Sequence, residues 1–232
     1  MAPSHPLRSI LPSWSVANAV ALLLAGMAIA AGLPLWMLSA CAAISFALLA
    51  YRCRGRWTPV GRFGAANTLT FARLGGIVGL PWLEPFALAC VALLLFALDG
   101  ADGWIARRTG LASDFGEFAD KESDALLVLM LCAILYRLPD DFGVWILVPG
   151  ALRYAFVLFV AVARPPARRE RRTALAGWIS ALMILSLILC LATYPAYLSQ
   201  TSAIVAAMTL LLVCSFAASA YRMYCAAGAR KD

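Results

Sequence analysis

The sequence predicts an all-α, polytopic membrane bundle, and three observations carry that prediction. Of 232 residues, 63% are hydrophobic and 13% are charged, whereas a soluble domain is about half apolar and about a quarter charged. The apolar residues gather in eight runs, over 14–32, 34–51, 67–83, 85–108, 117–137, 143–163, 172–193 and 202–225. Each run is close to the ~20 residues that a helix needs to cross ~30 Å of hydrocarbon. Alternating barrel patterning is missing, which leaves helices as the structure able to satisfy the backbone in lipid.

The runs differ in ways that predict their roles. The first is too long and continuous for a cleaved signal peptide, and a second apolar run follows at once, so a retained anchor helix is expected. Residues 52–66 are basic, with Trp57 and Phe63 interleaved. They read as an interfacial stretch on the cytoplasmic leaflet that joins two N-terminal helices (residues 1–60) to a six-helix body (61–232). The third run is short. The fourth and fifth carry charge at their facing ends, and the sixth contains Arg153.

Loop charge sets the expected orientation. With eight helices, Arg8, Arg52, Arg54, Arg56, Arg62, Arg107, Arg108, Arg164, Arg168, Arg169, Arg171, Arg172, Arg222, Arg230 and Lys231 all fall on one side. The other side receives Glu84, Arg137, Asp140 and Asp141. The positive-inside rule then puts both termini in the cytoplasm. The net charge of +7 is read as loop charge facing anionic lipid and phosphate, with no nucleic-acid partner. Seven cysteines without CxxC spacing read as packing residues. The single histidine, His5, lies near a terminus, so histidine catalysis and histidine metal sites are excluded.

The chemistry collects in residues 99–124, DGADGWIARRTGLASDFGEFADKESD. Asp99 and Asp102 are three apart, and Asp120 and Asp124 are four apart. Both spacings put the pair on one helix face. Carboxylates near a membrane repel one another and are expensive unless paired. An all-oxygen set suits a hard cation such as Mg²⁺, Mn²⁺ or Ca²⁺, and displacement at a phosphoryl group is the chemistry that uses it best. A remaining carboxylate can take the proton of an attacking hydroxyl. Gly103, Ala106 and Gly116 leave bare positions where a nucleotide can lie against backbone, and Arg107 is placed to pair with a phosphate.

The pattern D-x-x-D-G-x-x-A-R, eight residues, then G-x-x-x-D-x-x-x-D resembles the signature of the CDP-alcohol phosphotransferase family. Asp99, Asp102, Gly103, Ala106, Arg107, Gly116, Asp120 and Asp124 fill every fixed position. Upstream, Asn67, Leu69, Thr70 and Arg73 match a P-N-x-L-T-x-x-R segment, with Ala66 where proline is usual. The resemblance implies that Asp99, Asp102, Asp120 and Asp124 hold two metal ions, Mg²⁺ or Mn²⁺, and that Asp124 is also the general base. It implies CDP contacts from Asn67, Thr68, Leu69, Thr70, Gly103, Ala106, Arg107, Ser113 and Gly116. It further implies a CDP-linked lipid donor, expected to be CDP-diacylglycerol, an alcohol acceptor, release of CMP, phospholipid synthesis and a homodimer. One departure stands out: the common D-P-L-A-D is Asp120-Lys121-Glu122-Ser123-Asp124 here.

Several residues admit two readings. Ser113 is a helix N-cap or a CDP contact. Asp114, Glu117 and Glu122 are expected as solvated charges near a helix start. Arg153 pairs with a carboxylate or binds a phosphate. The basic loop 164–172 anchors on anionic lipid, or its Arg164, Arg168 and Arg172 join Lys121 and Arg153 in recognising a phosphorylated acceptor such as glycerol 3-phosphate or an inositol phosphate. The competing function is a cation-coupled transporter with the aspartates as its ion site.

Overall fold

A computed structural model describes residues 7–109, 113–139, 142–164 and 174–225. They form eight helices: α1 (Leu7–Ala30), α2 (Trp36–Arg52), α3 (Gly64–Gly79), α4 (Pro85–Thr109), α5 (Asp114–Tyr136), α6 (Val148–Ala163), α7 (Ala174–Ala192) and α8 (Leu198–Cys225). Short 3-10 turns, Leu80–Trp82 and Val144–Leu147, follow α3 and lead into α6. No strand occurs among the described residues, in agreement with the all-α prediction.

Four stretches are long and apolar enough to cross a bilayer: Ile10–Ala30, Val144–Ala163, Ala174–Ala192 and Leu198–Tyr224. Trp36–Arg52 is apolar but shorter, as is Pro85–Asp99, the part of α4 whose side chains are described. The sequence suggests eight runs of spanning or near-spanning length. Helices α3 and α5 fall short of the apolar measure because α3 carries Asn67, Thr70 and Arg73, and the first turns of α5 carry Asp120, Lys121, Glu122 and Asp124. The polar atoms that build the site dilute the apolar signal of the helices that hold it.

Helix α5 is the axis of the bundle. From Ala125 to Leu135 every residue except Val128 is buried, and α1, α3, α4, α6 and α7 all pack on it. It starts earlier than its apolar run because Ser113 caps it. Ser113 is extended (φ −145°, ψ 152°), and its hydroxyl accepts the Gly116 N–H at 3.1 Å. Asp114 and Glu117 in the first turn complement the helix dipole. On the far side α6 comes very close to α5 at Gly150. A Cβ there would stand 2.7 Å from Leu129 Cα, so only glycine permits this approach.

The first two helices are packed into the bundle. α1 lies against α2, α5 and α6, and α2 lies against α3. Ser39 of α2 donates to the Val78 carbonyl of α3 at 2.9 Å. Residues 53–63 form turns between α2 and α3, and their aromatics point toward the protein. Trp57 and Phe63 are partly buried against the core, and the Phe63 ring meets Phe71 and Phe115 edge-on. The basic stretch expected at the leaflet thus also makes a folded aromatic contact, with Phe63 packed on the aromatic surface of α3 and α5 and Trp57 packed on Phe63.

Gly150→Ala is expected to wedge α5 from α6 and destabilise the protein by about 1–3 kcal/mol. The test is the thermal unfolding midpoint in detergent; a midpoint equal to the parent's would show that the two helices can separate freely.

Candidate active site

Helices α3, α4 and α5 bring the polar residues to one seam. Helix α3 supplies Asn67, Thr70 and Arg73, all buried. Their spacing of three puts them along one face. The rest of that face is Leu74 and Ile77, which anchors the seam in the core.

Arg73 is the centre of the seam. Its side chain has no solvent exposure and meets three carboxylates. Nη1 donates to Asp120 Oδ1 at 3.0 Å, and Nη2 donates to Asp124 Oδ1 at 2.7 Å. Nη1 also forms an ion pair with Asp99 Oδ1. The aspartates themselves are about a third exposed, at 28%, 34% and 29% for Asp99, Asp120 and Asp124. One oxygen from each of the three lies within 4.8 Å of the others. Asp120 and Asp124 converge because they are four apart on α5, and Asp99 faces them from α4.

This donor set fits a divalent cation. Three carboxylates converge on one guanidinium among the described residues, so the group gathers more negative than positive charge there. Asp99 Oδ1 is buried and contacts Arg73 as an ion pair without making a hydrogen bond. Hard oxygen donors with no sulfur or imidazole select Mg²⁺ or Mn²⁺ over softer metals. Asp102 lies on α4 three residues after Asp99, and Gly103, Ala106 and Arg107 follow it in the same helix. The side chains of these four lie outside the described residues.

The upper part of the seam is a hydrogen-bonded corner. Asn67 donates to the Phe63 carbonyl at 2.6 Å and to the Trp57 carbonyl at 3.2 Å. The Ser113 hydroxyl donates to the same Trp57 carbonyl at 2.6 Å. Gly116 packs beneath it, where a Cβ would stand 2.8 Å from Asn67 Oδ1. Three residues expected at CDP thus meet at one point, and packing against Asn67 already requires glycine at position 116. The two readings of Ser113 are not exclusive, since it caps α5 while standing in this corner. Thr70 bonds the Ala66 carbonyl at 3.1 Å and Thr68 bonds the Gly64 carbonyl at 3.0 Å. Leu69 is half-buried between them.

A cavity of about 230 Å³ opens beside the aspartates. Asp99, Lys121, Asp124, Arg153 and Ser180 are its polar lining residues; the rest are mostly apolar, among them Phe96, Val128, Ile184, Leu212 and Phe216. Lys121 pairs with Glu117 one turn back. Arg153 pairs with Glu122, donating from Nη2 to Oε1 at 3.0 Å, which is the carboxylate pairing among its two expected readings, and it also lines the cavity. Arg164 caps α6 in the left-handed conformation, φ 45° and ψ 54°. Arg168 and Arg172 lie outside the described residues.

Two features differ from the sequence reading. Glu122 has no side-chain exposure, whereas Asp114 and Glu117 are exposed, so only those two are the solvated charges expected. Arg73 matched a sequence pattern but was given no role. Its position inside an apolar helix, like that of Arg153, was the available signal.

The family model described as CDP-alcohol phosphatidyltransferase matches residues 63–217, from the residue before α3 into α8 and well over half of the chain. No curated protein and no solved structure matches the chain.

Replacing Arg73 by Met leaves its three carboxylates facing one another. In EDTA this change is expected to lower stability by about 2 kcal/mol, below the full value for a buried pair because the aspartates are part-exposed. Millimolar Mg²⁺ should then restore more stability to the variant than it adds to the parent. Equal melting temperatures in EDTA would show that the aspartates do not depend on Arg73.

Proposed function

The chain belongs to the CDP-alcohol phosphatidyltransferase family, and we propose that it transfers a phosphatidyl group from CDP-diacylglycerol to a phosphorylated alcohol, releasing CMP in phospholipid synthesis. Family membership makes it a transferase of substituted phosphate groups, which sets aside the transporter reading. The observation that carries the finer proposal is the convergence of Asp99, Asp120 and Asp124, of which Asp99 and Asp124 line a cavity whose other lining residues are mostly apolar. That lining suits a donor with a charged head and lipid tails.

The residues divide the work. Asp99, Asp102, Asp120 and Asp124 hold two divalent ions. When bound, metal neutralises the pyrophosphate and makes CMP a better leaving group. Asp124 accepts the proton of the acceptor hydroxyl. The acceptor oxygen bonds to the phosphorus next to the lipid, and the phosphorus–oxygen bond to CMP breaks. Arg73 holds Asp120 and Asp124 at fixed spacing, so little reorganisation is needed when charge moves. Asn67 through Thr70, with Gly103, Ala106, Arg107, Ser113 and Gly116, form the cytidine diphosphate side. Lys121 and Arg153 supply positive charge for the acceptor, and Arg164, Arg168 and Arg172 are its further candidate partners.

Residues 61–232 form the catalytic domain of this reading, and residues 1–60 the added helices. The active site and both termini face the cytoplasm of the cell inner membrane, following the arginine distribution, and the enzyme works as a homodimer. The acceptor is an anionic polyol such as glycerol 3-phosphate or an inositol phosphate.

CMP release from CDP-diacylglycerol, measured with a panel of alcohols, tests this reading. Activity is expected with Mg²⁺ or Mn²⁺ and is expected to vanish in EDTA. Absence of CMP with every donor and acceptor tried would count decisively against it. Asp124→Asn should lower turnover by at least about 10³-fold, the scale of losing a general base together with a metal ligand. Its circular dichroism and gel-filtration profile should stay unchanged. Retained turnover in that variant would remove Asp124 as the base.

A further inference from the structure

Glu122 stands in the middle of the aspartate motif, yet it points away from the aspartates into the protein. A carboxylate without exposure is costly unless its oxygens are paired. Three side chains pair them. Ser15 Oγ donates to Oε1 at 3.3 Å, Asn18 Nδ2 donates to Oε2 at 3.3 Å, and Arg153 Nη2 donates to Oε1 at 3.0 Å. Ser15 and Asn18 belong to α1 and are three apart, hence on one face. Both are buried, at 6% and 1% exposure.

Helix α2 orients this face. Ser45 Oγ donates to Asn18 Oδ1 at 2.7 Å, which turns the amide nitrogen of Asn18 toward Glu122. At the same level Trp14 Nε1 donates to the Ser45 carbonyl at 2.9 Å. Helices α1 and α2 both precede the family-matched residues 63–217. Side chains outside the shared region therefore reach the centre of the shared motif.

The other end of the network opens on the cavity. Arg153 lines it together with Asp99, Asp124 and Lys121. Glu122 takes Nη2, and Arg153 Nε has no hydrogen-bond partner among the described residues. A guanidinium has five donors in a fixed fork, so donors remain for a bound anion. Ser15 and Asn18 decide how many remain. With both present, Glu122 shares its two oxygens among three side chains. Without them, both oxygens would turn to Arg153, and a bidentate pair would draw the guanidinium out of the cavity.

We propose that the N-terminal helix pair positions the acceptor-binding group: Ser15 and Asn18 fix Glu122, Glu122 fixes Arg153, and Arg153 presents its remaining donors to the phosphate of an anionic acceptor. The identity of the acceptor rests on the transfer reaction proposed above. The hydrogen-bonded connection from α1 to α6 stands independently of it.

The test uses the purified full-length chain in nanodiscs, the double variant Ser15→Ala/Asn18→Leu, and the milder Ser45→Ala. The first measurement is binding of inorganic phosphate by calorimetry, which requires no turnover. The parent should bind, the double variant should bind about tenfold more weakly, and Ser45→Ala should fall between them. The second measurement is CMP release with glycerol 3-phosphate as acceptor. The double variant should raise the KM for this acceptor about tenfold, while kcat and the KM for CDP-diacylglycerol stay within about twofold. A merely structural role would move both KM values and kcat together, in the double variant and in Ser45→Ala alike, and that result would overturn the proposal. So would equal phosphate affinity in all three proteins, or no phosphate binding by the parent. Phosphate binding that weakens as stated, without CMP release by the parent, would uphold the positioning role and reject the transfer reaction.

Discussion

A fully buried guanidinium is the constraint on which the rest of this structure depends. Arg73 lies in an apolar helix with no water to solvate it, so its charge must be met by protein. The aspartates, for their part, could not stand within 4.8 Å of one another without a cation between them. Each side therefore supplies what the other lacks. Because Arg73 comes from α3, Asp99 from α4, and Asp120 and Asp124 from α5, the mutual requirement fixes three helices at once. The aromatic cluster of Phe63, Phe71 and Phe115 closes the same seam with apolar area, and the Trp57 carbonyl ties its hydrogen-bonded end.

Helix α5 carries charge on two faces, and the difference between them organises the site. Asp120 and Asp124 turn toward α3 and α4; Glu122, between them in sequence, turns toward α1 and α6. The first face gathers negative charge that is part-exposed and open to a cation. The second holds one negative charge that is wholly enclosed and already satisfied. Arg153 connects the second face to the cavity lined by Asp99 and Asp124, so the cavity is shaped from both sides of one helix. Lys121, at 34% exposure and paired with Glu117, adds positive charge at the rim. The lining therefore carries both signs of charge beside a larger apolar surface.

The sequence revealed the parts of this molecule that follow from local pattern. Eight helices were legible because apolar runs and arginine-rich loops alternate, and the aspartate pairs were legible because helical spacing is short-range. The fixed glycines of the motif were also readable, although the clash of Gly116 with Asn67 required coordinates. What stayed hidden depends on contacts between distant segments. Glu122 looked like a solvated charge because its neighbours Glu117 and Lys121 are solvated. Only packing of α1, more than a hundred residues upstream in the chain, buries it. Trp57 and Phe63 alternate with arginines, and that local pattern does not reveal that Phe63 meets an aromatic surface on α3 and α5. In both cases a tertiary partner lies beyond the reach of local pattern.

The enclosed carboxylate has a consequence for how the molecule is made. A helix that enters the bilayer with an ionised glutamate at a buried position needs partners at once, because lipid offers none. Chain order supplies them, since α1 and α2 are synthesised before α5. Ser15 and Asn18 are thus in place when Glu122 arrives, and Arg153 follows only with α6. The hairpin of α1 and α2 thus offers hydrogen bonds to this charge from earlier in the chain, and α6 offers the ion pair from later in it.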